Sequence, residues 1–182
     1  MNVANGRAPT GPRLIAIVGP YQSGKTTLLE ALLYRAGAIT RQGKAADKTL
    51  GGDASAEARA HAMGVEVNLA GLTYMGDQFN FIDCPGSIEF SEDAKAVLPV
   101  CDAAIVVVDA DAKKAPALQL ILRELDRVGL PRIVFLNKID KSDAAPRDVL
   151  SWMQPASSKP LMLRQLPILS NCVVSGFVDL AL

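Results

Sequence analysis

The stretch RLIAIVGPYQSGKTTLLEALLYRA at residues 13–36 decides the fold. Its first six residues, RLIAIV, are mostly apolar and half of them are β-branched, which predicts a strand. A loop bounded by Gly19 and Gly24 follows. From Lys25 onward, leucines recur at helical spacing up to Gly37, a natural helix end. Strand, glycine loop and helix in this order indicate the first unit of an α/β domain.

The glycine loop fits the pattern G-x-x-x-x-G-K-[ST] as GPYQSGKT at residues 19–26, which we call the P-loop. Glycine allows backbone conformations and close approach that a Cβ would obstruct. The loop amides and the helix N-terminus then form a positive nest suited to phosphate. Lys25 is predicted to reach the β- and γ-phosphates, and the Thr26 hydroxyl to bind Mg²⁺. A plain glycine turn before an ordinary helix is the alternative.

A second motif, DCPG at residues 83–86, ends a predicted strand. Asp83 is placed to hold Mg²⁺ through a water, and the backbone N–H of Gly86 to contact the γ-phosphate. By itself D-x-P-G is a common turn, but downstream of a P-loop it favours a nucleotide-sensing segment. Within it, Cys84 is interpreted as a small packed residue, with an oxidisable thiol as the alternative.

The third motif is NKID at residues 137–140, the NKID loop, which follows an apolar segment. A carboxylate here accepts two hydrogen bonds, from N1–H and the exocyclic amine of guanine, and adenine lacks this donor pair. Asp140 is therefore predicted to select guanine. Asn137 would brace the loop, and the stem of Lys138 would cover the base.

The three motifs together supply the predicted ligands of a guanine nucleotide and its metal. Thr26 and Asp83 are the predicted metal ligands, and Lys25 is a predicted catalytic residue. The predicted nucleotide-binding residues are Gly19, Pro20, Tyr21, Gln22, Ser23, Gly24, Lys25, Thr26, Thr27, Asp83, Pro85, Gly86, Asn137, Lys138 and Asp140.

Hydrophobic patterning maps the remaining chain. Helices are predicted at residues 90–100, 115–128 and 145–153, and strands at 65–74, 79–83, 103–108, 132–136, 161–168 and 173–182. The runs 103–108 and 132–136 are continuous enough to indicate strands buried on both faces. The polar segment 38–63 is typical of a functional loop.

Composition narrows the classes of function. The chain has 182 residues, and its 19 basic and 19 acidic side chains balance, which argues against a polybasic binder of nucleic acid or membrane surfaces. No apolar run reaches the roughly 18 residues that cross a bilayer, and the first dozen residues lack a secretory signal. We expect a cytoplasmic monomer that binds neither DNA nor a membrane. Lys113 and Lys114 are expected to be ordinary solvated charges.

The motifs in this order resemble the G domain of translational GTPases, in particular the N-terminal G domain of elongation factor G. The resemblance rests on GKTTLLEALLYRAGAI (24–39), DCPG, AIVVVDA (104–110) and FLNKID (135–140). Beyond residue 155, SSKPLMLRQLPI and GFVDLAL resemble the start of a subdomain inserted in that family. The resemblance implies binding of GTP and GDP with Mg²⁺, hydrolysis, and action on the ribosome in translocation or ribosome disassembly.

Several positions depart from the family pattern. Pro20 and Gln22 stand where His and Asp are usual, and residues 63–66 (MGVE) replace a segment whose Thr binds Mg²⁺. Ser87 stands where a His usually orients the attacking water, so it is carried over as the second catalytic candidate. These changes leave nucleotide binding intact, and we expect slow hydrolysis. The alternative is a nucleotide-dependent binding switch with negligible turnover.

The predicted fold is therefore an α/β P-loop NTPase. It has a mostly parallel sheet with helices on both faces, an antiparallel edge hairpin, and the start of an α+β inserted subdomain. The predicted divisions are a disordered tail at 1–12, a GTP-binding G domain at 13–155 and the beginning of the subdomain at 156–182. The family's fifth guanine motif, a Ser-Ala loop, is not reached, so we expect a fragment of a longer protein.

Overall fold

The structure is a computed structural model that describes residues 11–41, 68–84, 92–142, 144–170 and 173–180. Strand β1 (Arg13–Val18) and helix α1 (Lys25–Arg35) flank the P-loop, as the sequence predicts. Directly after the helix, Gly37 takes a φ of +75°, a left-handed conformation that glycine adopts without strain. The first strand–loop–helix unit is thus present with the expected limits.

The other elements follow the predicted order. The strands are β2 (Asn68–Tyr74), β3 (Asp77–Asp83), β4 (Ala103–Val108), β5 (Arg132–Leu136), β6 (Gln165–Ser170) and β7 (Val173–Asp179). The helices are α2 (Glu92–Val97), α3 (Ala115–Arg127) and α4 (Pro146–Met153). Short 3-10 turns lie at Leu98–Val100, Ala112–Lys114, Ile139–Lys141 and Gln154–Ala156.

Five of these strands form one sheet in the order β2-β3-β1-β4-β5. β1 pairs in parallel with β3 and β4, and β4 pairs in parallel with β5. β2 lies antiparallel to β3 at one edge, across a turn at Met75 and Gly76. β6 and β7 form a separate antiparallel hairpin. The mostly parallel α/β fold with an antiparallel edge hairpin is confirmed.

Helices cover both faces of the sheet. On one face, Leu29 of α1 packs with Ile17, Phe81 and Val107 from three strands. On the other, α3 and α4 pack against a larger core, in which Leu122 and its neighbours are fully buried. This burial is the main contribution to stability, at roughly 25 cal/mol per Å² of apolar surface.

One strand departs from its predicted environment. Residues 132–136 are predicted to be buried on both faces, yet in β5 the side chains of Ile133 and Phe135 are 62% and 39% exposed. The reason is position, because β5 pairs only with β4 among the described strands and α1 lies over β1, β3 and β4 instead. Val134 and Leu136 point to the opposite face and pack against the core beneath α3.

Two boundaries also differ. The predicted helix at 90–100 becomes α2 followed by a 3-10 turn that contains Pro99, a residue whose missing N–H prevents the α-helical bond. The strand predicted at 161–168 begins only at Gln165.

Most of the predicted tail and of the polar segment 38–63 lies outside the described residues, and the predicted division into domains stays a prediction. No described helix combines the length and the apolar character that crossing a membrane requires.

A cluster of charged and polar side chains joins the segment after α4 to the end of α3. The carboxylate of Asp126 accepts a hydrogen bond from Arg132 Nη1 at 2.8 Å and another from the Ser158 hydroxyl, and Lys159 Nζ lies 3.4 Å away. The Ser158 bond, followed by Arg132, holds the pKa of Asp126 below its ordinary value. This cluster contains no residue of the three motifs.

Candidate nucleotide-binding site

The predicted motifs meet at the carboxyl edge of the parallel sheet. Backbone bonds carry the strands past their ends: Cys84 N donates to Ile17 O at 3.0 Å, and Asn137 N donates to Val108 O at 2.6 Å. Ligands of open α/β sheets bind outside this edge. The polar residues or glycines found there are Gly19 after β1, Asp83 at the end of β3, Asp109 after β4 and Asn137 after β5.

The two P-loop glycines make room for neighbouring parts of the site. A Cβ on Gly19 would lie 2.1 Å from the carbonyl oxygen of Val107, and one on Gly24 would lie 2.3 Å from Nδ2 of Asn137. Gly24 also has a φ of +95°, which an L side chain rarely adopts. The motif therefore requires glycine because strand β4 and the NKID loop press directly against the P-loop.

Lys25 is buried inside the loop that it follows. Its ammonium donates to Gly19 O at 3.1 Å and to Pro20 O at 3.3 Å, and the residue is 8% exposed. Burial lowers the pKa of Lys25, and the nearby carboxylate of Asp83 opposes that shift. Charge-assisted bonds to phosphate oxygens are stronger than bonds to neutral carbonyls, so an entering phosphate can take over this ammonium.

The two predicted metal ligands are in direct contact. Thr26 Oγ1 donates to Asp83 Oδ2 at 2.6 Å. The other oxygen, Asp83 Oδ1, is buried and has no hydrogen-bond partner within the described part of the chain. Burial raises the pKa of Asp83, while the Thr26 bond and Lys25 lower it. A hydroxyl beside a carboxylate with an unsatisfied oxygen fits Mg²⁺, which takes hard oxygen ligands.

The NKID loop is joined to the P-loop by side-chain bonds to backbone. Asn137 Nδ2 donates to Ser23 O at 2.9 Å, and Lys138 Nζ donates to Gln22 O. Asp140 lies in the adjoining 3-10 turn with an exposed carboxylate, which accepts no hydrogen bond among the described residues. The structure therefore joins Asn137 and Lys138 to the P-loop and leaves Asp140 exposed to solvent.

The remaining predicted residues have different environments. Pro20 and Ser23 are buried, and Ser23 Oγ lacks a hydrogen-bond partner among the residues that the structure describes. Gln22 and Thr27 are exposed, as is Tyr21, whose hydroxyl accepts a bond from Gln22 Nε2 at 3.0 Å. Pro85, Gly86 and Ser87, like the segment 63–66, lie outside the described residues.

Cys84 is a packed residue beside the site. It is 1% exposed, and burial raises the pKa of its thiol to about 12. Because the thiolate is the reactive form, a thiol with so high a pKa is inert at neutral pH. The interpretation of Cys84 as a small packed residue fits this environment, and the oxidisable alternative does not.

Asp109 was missed by the sequence analysis, and Lys114 was interpreted there as a solvated charge. Asp109 is 9% exposed and bonds to Lys114 Nζ at 2.6 Å and to Lys138 Nζ at 3.3 Å. The expectation that Lys114 is a solvated charge is wrong, because its side chain is only 22% exposed and faces this carboxylate. A signal was present: Asp109 directly follows an apolar strand, as polar site residues at the carboxyl edge do.

Residues 11–176 match the model of the elongation factor Tu GTP binding domain. The chain belongs to this family. It is 40% identical over 168 residues to an elongation factor G-like protein of Synechocystis and 33% identical over 175 residues to elongation factor G 2 of Streptomyces coelicolor. These alignments cover 92% and 94% of this chain and 25% of each relative. The resemblance noted in the sequence is confirmed.

A solved structure gives the same result. A crystal structure of a Thermus thermophilus protein superposes with a TM-score of 0.80 at 32% identity, over 92% of this chain and 25% of that one. A mitochondrial ribosome-releasing factor 2 of Pongo abelii is also similar, at 33% identity over 92% of this chain. The chain spans about a quarter of the length of these relatives.

Proposed function

We propose that this chain is the nucleotide-binding part of a translation factor related to elongation factor G, binding Mg²⁺ with GTP and hydrolysing GTP to GDP and phosphate on the ribosome. The observation that carries the proposal is the direct junction of the NKID loop with the P-loop, through Asn137 and Lys138. This junction supports the proposal because it holds the P-loop and the NKID loop side by side, as the binding of one nucleotide by both loops would require.

Each group has a part in this proposal. The P-loop amides and Lys25 bind the phosphates, and Thr26 and Asp83 hold the metal ion. When bound, Mg²⁺ neutralises charge on the phosphate oxygens. Asp140 accepts from the guanine edge, and Asn137 and Lys138 keep its loop in place. Phosphoryl transfer depends on such positioning and charge stabilisation rather than on covalent chemistry by the protein.

The ribosome is the proposed partner because the similar proteins carry the names elongation factor G, elongation factor G-like protein and ribosome-releasing factor 2. We further propose a cytoplasmic monomer without affinity for DNA or membranes. The neutral balance of 19 basic and 19 acidic residues supports the last point, because a polyanion binder needs excess positive charge.

A second candidate is a nucleotide-dependent binding switch with negligible turnover. Ser87 favours it, because a hydroxyl is shorter than an imidazole and cannot become positively charged. Glu66 also favours it, because a carboxylate stands near the position of the Mg²⁺-binding Thr of the family. Both candidates require guanine-nucleotide binding and differ only in hydrolysis.

Nucleotide binding is tested by titrating this chain with fluorescent GTP, GDP and ATP in the presence of Mg²⁺. We expect the guanine nucleotides to bind at least about a hundredfold more tightly than ATP, because ATP leaves a carboxylate without its donors. Equal affinity for the three nucleotides would contradict the proposal.

Hydrolysis is tested in a chimera in which this chain replaces the matching segment of the Synechocystis relative, assayed with and without ribosomes. A ribosome-dependent increase in GTP turnover supports the enzyme. Tight GTP binding without that increase supports the switch. A Ser87→His variant of the same chimera sharpens the comparison, since the switch interpretation expects it to gain turnover.

A further inference from the structure

An ionic contact among Asp109, Lys114 and Lys138 lies next to the junction of the NKID loop with the P-loop. One oxygen, Asp109 Oδ2, accepts from Lys114 Nζ at 2.6 Å and from Lys138 Nζ at 3.3 Å. The same Lys138 ammonium donates to Gln22 O in the P-loop. Lys138 therefore bridges the P-loop and the end of β4, and its position depends on a carboxylate that belongs to neither predicted motif.

The burial of this contact makes it stronger than a surface ion pair. The side chain of Asp109 is 11% exposed, and those of Lys114 and Lys138 are 22% and 33% exposed. Exposed pairs contribute little because water and salt screen them, and partly buried pairs are screened less. Removing the carboxylate would also leave two ammonium groups facing each other, which would displace Lys138.

The backbone at both ends of the Lys138 bond needs such support. Lys138 has a φ of 55° and so does Gln22, whose carbonyl accepts the bond. A left-handed conformation is unfavourable for residues with a Cβ and persists where surrounding contacts hold it. The ammonium of Lys138 joins these two strained residues, and the carboxylate of Asp109 binds the same ammonium.

We propose that Asp109 is a positioning residue for the nucleotide site. It acts through Lys138, holding the NKID loop against the P-loop, and it contacts no nucleotide itself. Lys114 is the second cation on the same oxygen and balances the buried negative charge. This inference rests on the proposed function, because guanine binding is the property that the arrangement serves.

The test is a double-mutant cycle on GDP affinity, using Asp109→Asn, Lys138→Met and the double variant in this chain. We expect Asp109→Asn to weaken GDP binding about five- to tenfold, and Lys138→Met to weaken it at least as much. In the Lys138→Met background, Asp109→Asn should change affinity less than about twofold, because the group through which it acts is gone. A merely structural role would give the same loss in both backgrounds.

Asp111→Asn is the matched control. Asp111 lies two residues further along the same loop, is exposed, and accepts from the backbone N–H of Lys113 rather than from Lys138. Asparagine keeps that acceptor, so GDP affinity should stay within about twofold of wild type. Equal losses in Asp109→Asn and Asp111→Asn would overturn the inference.

A second pair of variants tests the role of Asp109 if Asp109→Asn does not fold. Asp109→Glu keeps the negative charge within reach of both ammonium groups, and Asp109→Gln has the same length without the charge. We expect Glu to bind GDP more tightly than Gln by about fivefold, and equal affinities would overturn the inference. Wild-type chain that does not prefer GDP over ADP would overturn the proposed function and the inference with it, whereas a wild-type preference without these variant effects overturns the inference alone.

Discussion

The phosphate side and the base side of the site are built differently. On the phosphate side, Ser23, Lys25 and Asp83 are almost completely buried. Lys25 donates to a P-loop carbonyl, and one oxygen of Asp83 accepts from Thr26. On the base side, Asn137 and Lys138 are half-buried and bind the P-loop, while Asp140 is exposed.

Under the proposed function, this difference separates the affinity for phosphate from the selection of the base. A buried ammonium and preformed amide groups suit a phosphate tail that every nucleoside triphosphate carries. An exposed carboxylate on a loop costs little until a base arrives, and it then discriminates by which donors that base offers. We therefore expect variants on the phosphate side to weaken all nucleotides, and variants on the base side to change which nucleotide is preferred.

The largest effect is expected for Lys25→Ala. Hydrogen bonds that involve an ion contribute about 1.5–3 kcal/mol each, so losing this ammonium should weaken GTP and GDP at least about a hundredfold. Fluorescent-nucleotide titration measures the loss, and Lys113→Ala is the control because Lys113 is exposed outside the site. A loss of affinity for guanine nucleotides alone would contradict the separation between phosphate binding on one side and base selection on the other.

Gly24→Ala tests the contact between the P-loop and the NKID loop. The added Cβ would lie 2.3 Å from Asn137 Nδ2 at a φ of +95°. We expect a loss of about 1–3 kcal/mol in the free energy of unfolding, together with weaker nucleotide binding. Gly37→Ala is the matched control, because Gly37 also has a positive φ, +75°, but its Cβ would meet nothing within 4 Å. Equal losses in the two variants would show that backbone strain alone, and not the contact with Asn137, requires glycine.

The smallest effect is expected far from both sides, at Asp126. The bonds from Ser158 and Arg132 lower its pKa, so the folded state favours the ionised form. The stabilisation is present above the unfolded pKa of about 3.9 and is lost as the pH falls through the lower folded value. Asp126→Asn should reduce the free energy of unfolding by about 1 kcal/mol or less at pH 7, with the difference from wild type vanishing in acid.

Nucleotide affinity provides the control for that prediction. Asp126→Asn should leave GDP binding unchanged, because the cluster contacts neither the P-loop nor the NKID loop. Thermal melts at pH 7 and pH 3 measure the stability, and titration measures the affinity. A difference from wild type that grows in acid would contradict the sign derived from the lowered pKa.

The sequence predicted the features that depend on neighbouring residues in the chain. The P-loop, DCPG and the NKID loop are contiguous motifs at strand ends, and hydrophobic periodicity placed β1, α1, β4 and α3 close to their observed limits. Their convergence also followed, since the carboxyl ends of parallel strands share one edge of the sheet. The packing of Cys84 is also local, because this residue stands at the end of a central strand, which is packed on both sides.

What the sequence did not predict depends on which side chains meet across the fold. Asp109 and Lys138 are 29 positions apart, and no local pattern shows that their side chains touch. The exposure of Ile133 and Phe135 depends on which neighbours lie beside β5, and an apolar run alone does not contain that information. The reason for glycine at position 24 is likewise a residue more than a hundred positions away, Asn137.

The most direct test of base selection by the NKID loop is the base preference of Asp140→Asn. Xanthine carries a carbonyl oxygen where guanine carries its exocyclic amine, and an asparagine amide can donate to that oxygen where a carboxylate cannot. We expect wild type to prefer GDP over xanthosine diphosphate by about a hundredfold or more, and the variant to reverse this preference while phosphate binding stays intact. An unchanged preference for GDP in Asp140→Asn would contradict the assignment of the NKID loop as the base-selecting element.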